Sequence, residues 1–171
     1  NKTHQDVGLD MRYGLTSNSV MKITFNPDFG QVEADPSVLN LTAFETFYEE
    51  KRPFFSEGSE FFNHRISLFN SRRIGRRPSY YIPANGELED LPDYTTILGA
   101  SRVMGSLASG INYGFIGALT TEETAIHIDS LDSRDIVVEP KSNYSIGRVE
   151  IPMINNISRV GIMATNVTRA N

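Results

Sequence analysis

Glu45, Glu49 and Glu50 stand next to Lys51 and Arg52. Two carboxylates held near one another can serve a glycosidase, one as acid and the other as base or nucleophile. Glu45 and Glu49 are four residues apart and share a face if their segment is helical. A solvated face, or salt bridges to a basic run further on, explains the same residues without catalysis and is preferred. Glu45 and Glu49 therefore remain candidates, with no catalytic residue assigned. Asn26, Asp28, Glu33 and Asp35 gather oxygen ligands within ten residues. Hard cations such as calcium take such ligands. The spacing is not that of an EF-hand loop, so Asp28, Glu33 and Asp35 are metal candidates behind a turn and helix-capping role.

A basic run, Arg72, Arg73, Arg76 and Arg77, could contact phosphate, sulfate or lipid head groups, or line a pore lumen. Pairing with the acidic stretch before it is an equal alternative. His4, His64 and His127 lie far apart and do not form a zinc motif. There is no GxSxG elbow and no phosphate-cradling glycine loop, so no cofactor is expected.

These side chains belong to a chain of 171 residues, 39% hydrophobic and 22% charged, which excludes a disordered segment. A net charge of −5 gives no basic footprint for nucleic acid. With no cysteine, disulfides and thiolate metal sites are excluded. The chain opens on Asn1 with no apolar leader, so any targeting signal is expected to lie outside it. No apolar run reaches the ~20 residues of a membrane helix. A membrane role would need a β-barrel, the other fold that satisfies its own backbone in lipid.

The elements follow from periodicity. Val7, Leu9, Met11, Tyr13 and Leu15 alternate with Gly8, Asp10, Arg12 and Gly14, the period of a strand. Turn residues 16–19 and a second alternating run make a hairpin over 7–26. Segment 27–92 reads as a long plug-like insertion, irregular from Phe54 to Pro92. It carries a helix near 37–50, capped by Asp35-Pro36, with Val38, Leu41, Phe44 and Tyr48 at helical spacing. Further antiparallel strands fill 95–167. Runs 124–129 and 136–139 flank a loop at Ser130–Asp135, and a last hairpin crosses Asn155-Asn156.

Alternation alone fits a soluble sandwich as well as a barrel. Three features favour the barrel. Glycines (Gly8, Gly14, Gly99, Gly114, Gly117, Gly147, Gly161) are expected on the non-apolar face, as in a crowded barrel interior. Tyr13, Phe25 and Tyr144 lie near strand ends, where aromatic girdles form. The middle segment is long, polar and aromatic, as a plug would be.

Ordered blocks add a resemblance. They are Tyr13–Asn18, Asn26–Pro36, Asn40–Phe47, Glu50–Phe55 with Glu57–Ser59, Ser71–Arg76, Thr95–Ala100, and Glu139-Pro140 with Asn143-Tyr144 and Gly147-Arg148. Together they resemble a family of large bacterial outer-membrane-type proteins of unknown function. In that family a carbohydrate-binding, family-9-like β-sandwich precedes a long C-terminal β-barrel. The family pattern has proline where Glu49 stands, and a non-polar residue often follows the position of Phe55, where Ser56 stands here. The resemblance implies a transmembrane-type fragment beginning at or just inside the barrel, located in the bacterial outer membrane. It transfers no catalytic residue.

The expected fold is mainly β, a partial antiparallel barrel with staves 7–15, 20–26, 97–104, 111–119, 144–151 and 159–167. Eight strands is the practical minimum for a bacterial barrel. The first and last staves are thus expected to pair with chain absent here or with another copy. The expected role is transport, uptake or envelope scaffolding, against the alternatives of a glycan-processing enzyme or a soluble β-sandwich binding module. The balance falls against an enzyme. Expected partners are outer-membrane lipid, then glycans or another envelope protein, and not nucleic acid.

Overall fold

A computed structural model describes residues 7–27, 49–63, 68–79, 81, 83, 85–129, 132–154 and 157–170. The alternating runs become strands: β1 (Leu9–Thr16), β2 (Ser19–Phe25), β3 (Glu87–Glu89), β4 (Ile97–Ser106), β5 (Asn112–Thr120), β6 (Glu123–Asp129), β7 (Asp132–Glu139), β8 (Ser142–Pro152) and β9 (Arg159–Arg169). Six form one antiparallel sheet in the order β1-β2-β4-β5-β8-β9. These are the six expected staves, within a few residues at each end. β3, β6 and β7 form a separate three-stranded sheet. The chain is thus mainly antiparallel β. Among the described residues the large sheet is open, with β1 and β9 at its edges.

Register assigns every strand residue to a face, since residues paired across strands point the same way. One face carries Tyr13, Met21, Val103, Phe115, Gly147 and Ala164 in a single cross-strand row. We call it the outer face, and many of its large apolar side chains are exposed, Leu9 to 58% and Ile162 to 73%, while Met21, Ile23, Val103 and Leu119 are half-buried. The opposite, inner face carries the row Arg12, Lys22, Arg102, Ile116, Ile146 and Thr165. Chain from residues 49–79 packs on it. A short helix, α1 (Pro53–Ser56), opens with proline in its first turn and buries Phe54 and Phe55. Two 3-10 turns follow at Ser59–Phe61 and Ser71–Arg73. Phe54, Phe55, Phe62 and Ile74 meet Ala100, Ile116, Ala118, Tyr144 and Ile146 in the core. The phenylalanines pack edge to face, with Phe54–Phe55 centroids 5.0 Å apart.

Short turns join β1–β2, β4–β5 and β8–β9 at one end of the sheet. Both long connections, β2 to β4 and β5 to β8, leave from the other end. These two connections build the small sheet, β3 from the first and β6–β7 from the second. The Tyr81 amide donates to the Val138 carbonyl, and the Ser79 amide to the Glu139 carboxylate. The long-connection end is therefore closed by backbone pairing.

Several expectations are corrected. The segment expected to be irregular from Phe54 to Pro92 contains α1, both 3-10 turns and β3. The loop expected at Ser130–Asp135 is shorter: β7 begins at Asp132, and Ser133, Arg134 and Asp135 pair with Ile128, His127 and Ile126. Those three residues are exposed, so the ladder tolerates their polarity. Glycines do not gather on the inner face. Gly14, Gly114 and Gly161 lie there, but Gly99, Gly117 and Gly147 lie outside. Two of these outer glycines are in contact with aromatic rings, Gly99 with Phe25 and Gly117 with Phe115. Tyr144 is buried on the inner face, 8% exposed, and is no girdle residue, while Tyr13 and Phe25 are exposed on the outer one. Of the helix expected at 37–50, residues 37–48 lie outside the described residues, and Glu49 and Glu50 are not helical.

Gly114 sets how closely the aromatic segment approaches the sheet. A Cβ there would stand 2.7 Å from Phe62 Cζ and 2.8 Å from Phe61 Cδ1. Gly114→Val should cost about 1–3 kcal/mol by overpacking. Gly147→Val, at an outer position with open space around it, should cost far less. Denaturant midpoints of the two variants check the contrast.

Candidate functional site

Two arginines join the covering chain to the inner face and a third braces that chain, each offering guanidinium donors to main-chain carbonyls. Arg102, in the middle of β4 and 5% exposed, donates to the Phe54 carbonyl at 2.7 Å and also to the Glu57 carbonyl. Its guanidinium lies 5.5 Å from the Phe54 ring centroid and 3.4 Å from the Glu57 carboxylate. Arg148, on β8, donates to the Phe61 carbonyl at 2.6 Å and the Asn63 carbonyl at 2.9 Å, and pairs with Glu150 at 2.5 Å. It lies 5.4 Å from the Phe61 ring centroid. Arg52 ties the covering chain to itself. It donates to the Ile74 carbonyl at 2.6 Å and the Ser71 carbonyl at 2.8 Å, with its guanidinium 4.5 Å from the Phe55 ring centroid. Such contacts combine charge-assisted hydrogen bonding with cation–π attraction.

Glu50 completes the Arg52 node. Its carboxylate accepts from Arg52 Nε at 2.8 Å, Nη2 at 2.7 Å, and the Ser71 hydroxyl at 2.6 Å. Burial pushes its carboxyl up. The Arg52 hydrogen bonds and charge, with the Ser71 hydroxyl, outweigh that and hold it below the usual glutamate range.

Beside this clamped layer, toward the short-turn end, the inner face keeps a cavity of about 450 Å³. Arg12, Lys22 and Arg102 line it from the sheet; Glu57, Glu60 and Phe61 line it from the covering chain. The three cations occupy one register row on adjacent strands. Glu57 receives both Lys22 and Arg102 on one carboxylate oxygen. Arg12 forms no hydrogen bond or ion pair with a described residue.

The sequence candidates fall elsewhere. Glu49 is exposed, and the carboxylate the fold uses is its neighbour Glu50. Glu45, Asp28, Glu33 and Asp35 lie outside the described residues. Among the described residues no group of three His, Cys, Asp or Glu is placed to hold a metal. Asn26 closes β2, its amide donating to Leu98 O and its side chain to Val7 O. In the basic run, Arg72 and Arg73 form a 3-10 turn capped by Asn70, and Arg76 offers its carbonyl to both the amide and hydroxyl of Thr95. The side chains of Arg73, Arg76 and Arg77 are exposed. His127 is buried, its Nε2 2.7 Å from the Asn85 carbonyl.

Sequence reasoning missed Arg102 and Arg148 as functional positions and took Arg52 only as a neighbour of the glutamates. The signal was present only in part: Arg12 and Lys22 fall on the non-apolar phase of their strands, but Arg102 shares its phase with Ala100 and Met104, and Arg148 with Tyr144 and Ile146.

Arg102→Leu should uncouple the covering chain. It strands two carbonyls that had charged donors, each bond worth ~1.5–3 kcal/mol. Proteolysis within 57–63 should accelerate while the strands stay protected from hydrogen exchange. Glu50 supplies an acid-side dependence. Its native carboxyl titrates below the ~4.3 of an unfolded glutamate. Its stabilisation is therefore complete above ~4.3 and lost as pH falls through the native value. Glu50→Gln should flatten that part of the stability profile. The chain has no tryptophan, so tyrosine circular dichroism during acid titration is the measurement.

No curated protein and no solved structure matches the chain. A family model does, over residues 1–171, and the chain belongs to that family, described as a domain of unknown function, DUF5916.

Proposed function

We propose that this chain contributes six staves to a bacterial outer-membrane β-barrel engaged in transport, uptake or envelope scaffolding, with residues 49–79 lying plug-like against the lumen side. One observation carries this: the chain itself covers the inner face of the central strands, while the outer face carries exposed large apolar side chains in a band that crosses the strands obliquely. On β1 and β2 the band centres on Met11 and Ile23. On β4 and β5 it centres on Val103 and Phe115. On β8 and β9 it has moved to Val149, Ile151, Val160 and Ile162. The row of Met11 meets β9, five strand steps away, at Asn166, so the band has shifted about six residues along β9 by Val160. Strands tilted ~40° and ~4.8 Å apart displace a level membrane band by ~20 Å over five steps, which is about six residues. The outer residues left beyond the band on β8 and β9 are Asn143, Ser145, Asn166 and Thr168, all polar.

Strand lengths and connections agree. The six strands run from 7 to 11 residues, close to the ~9–11 that cross a bilayer at a tilt. Short turns at one end and long connections at the other match the periplasmic and outer ends of such barrels. A sheet open at β1 and β9 needs further staves in lipid, because unpaired backbone there costs several kcal/mol per group. They come from additional chain or a second copy. The resemblance of the ordered blocks to outer-membrane-type proteins with a family-9-like carbohydrate-binding domain points the same way, and makes glycans natural partners. Arg72, Arg73, Arg76 and Arg77 would then be lumen-side anion contacts.

The chain has no cysteine, so single cysteines can be placed without background. Environment-sensitive fluorophores at Met11→Cys, Phe115→Cys and Ile162→Cys should report hydrocarbon when the full protein is in vesicles, and one at Thr165→Cys should report water. Water at all four positions would sink the proposal. Ile162→Arg should destabilise the inserted protein by about 2–4 kcal/mol, and Asn166→Arg by about 1 or less.

A further inference from the structure

The Arg12–Lys22–Arg102 row poses an electrostatic problem that the chain itself only partly solves. Neighbouring strands lie ~4.8 Å apart, so three cations stand side by side across ~10 Å. Like charges directly opposite one another destabilise a sheet. Glu57 answers two of them, receiving Lys22 and Arg102 on one oxygen. Glu60 faces the same cavity and acts favourably on Arg102. Among the groups that line the cavity, three cations against two carboxylates leave one positive charge, on Arg12, whose guanidinium has no described partner; Asp10, on the same face but outside the lining, acts favourably on Lys22. The surplus faces a cavity of about 450 Å³, within the ~300–1,000 Å³ of small-molecule sites. Ser106 and Asn112 close its short-turn side with hydroxyl and amide groups, hydrogen-bonded to each other at 2.7 Å.

We propose that this cavity is a binding site for a small, soluble organic anion carrying one carboxylate or phosphate group. Arg12 supplies the fork for the oxyanion, since a free guanidinium binds carboxylate or phosphate through two parallel N–H bonds. Lys22 and Arg102, held in place by Glu57, add field without needing to move. Glu60 opposes the anion at the covering-chain wall. Ser106 and Asn112 suit the hydroxyls of a sugar phosphate or hydroxy acid. The site deepens the barrel reading, on which its placement inside a lumen rests: basic side chains lining a passage select anions.

The test uses the full protein in micelles of an uncharged maltoside detergent, so that binding does not depend on insertion into a bilayer. Calorimetric titration with inorganic phosphate and with acetate should saturate in the millimolar range, and glucose should bind more weakly. Arg12→Gln should weaken phosphate about tenfold, Arg12→Lys should restore part of the loss, and Glu60→Gln should tighten it. The Arg12 side chain supports no described contact, so its removal should leave the fold intact. Unsaturable phosphate binding, an unchanged Arg12→Gln variant, or competition by phosphatidylglycerol added to the micelles would each overturn the assignment. Cysteine labelling in vesicles separates the two proposals. Phosphate binding by a protein whose outer positions stay wet retains the site and removes the barrel. Buried outer positions without phosphate binding do the reverse.

Discussion

Main-chain carbonyls of an irregular segment need donors wherever they are buried, and here guanidinium groups supply them. The described residues of the 49–79 chain form only one short helix and two 3-10 turns, so the carbonyls of Phe54, Glu57, Phe61 and Ile74 would lose water without compensation. Arg102 and Arg148 reach them from the sheet, and Arg52 from within the segment. Arginine suits the task because its planar head carries five donors and is less strongly hydrated than an ammonium. The arginines depend on the carbonyls in return. A guanidinium as enclosed as that of Arg102 is costly unless its donors are used. The Phe54, Phe55 and Phe61 rings close around these heads, so aromatic packing and carbonyl satisfaction are one arrangement.

That arrangement fixes which face of the sheet is inside. In a half-buried soluble sheet the apolar face turns inward and the charged face meets water. Here Arg102, Lys22 and Thr24 lie under or beside covering chain, and Leu9, Met11 and Ile162 are bare. The inner face can still hold a core because its small residues, Gly114, Ala100 and Ala118, make room for phenylalanine from the other layer. Its apolar content is therefore shared between sheet residues such as Ile116, Tyr144 and Ile146 and the phenylalanines of the covering chain.

Periodicity made the strands legible. Alternation at Val7–Leu15 and its later repeats located all six strands of the large sheet, because a period of two has one structural meaning once turns bound it. Facing was legible only where large apolar residues declared it. The glycines gave no such signal, and Gly99, Gly117 and Gly147 were misplaced because backbone freedom does not report a face. Tyr144 looked like a girdle residue by its position near a strand end, but register puts it in the row of Ala100 and Ala118. The Ser133–Asp135 stretch looked like a loop because its residues are polar; exposure on a hairpin ladder permits that. The arginine clamps escaped because their partners are carbonyls, which every residue has and no sequence pattern marks. The consecutive basic run drew attention instead, although the structure uses the backbone of Asn70–Arg76 more visibly than its charges.

The two ends of the sheet differ in what they leave open. At the long-connection end, β3, β6 and β7 lock the two long connections to each other, and the Thr121 amide and hydroxyl both meet the Thr96 carbonyl. Backbone pairing there leaves little room on the inner face. At the short-turn end, the described covering chain reaches as far as Glu57–Phe61. The uncovered part of the inner face is therefore the stretch bearing Arg12, with Lys22 and the buried Arg102 at its border. A cavity forms where the covering layer stops, and its charge follows from the strand phase that kept those residues off the apolar face.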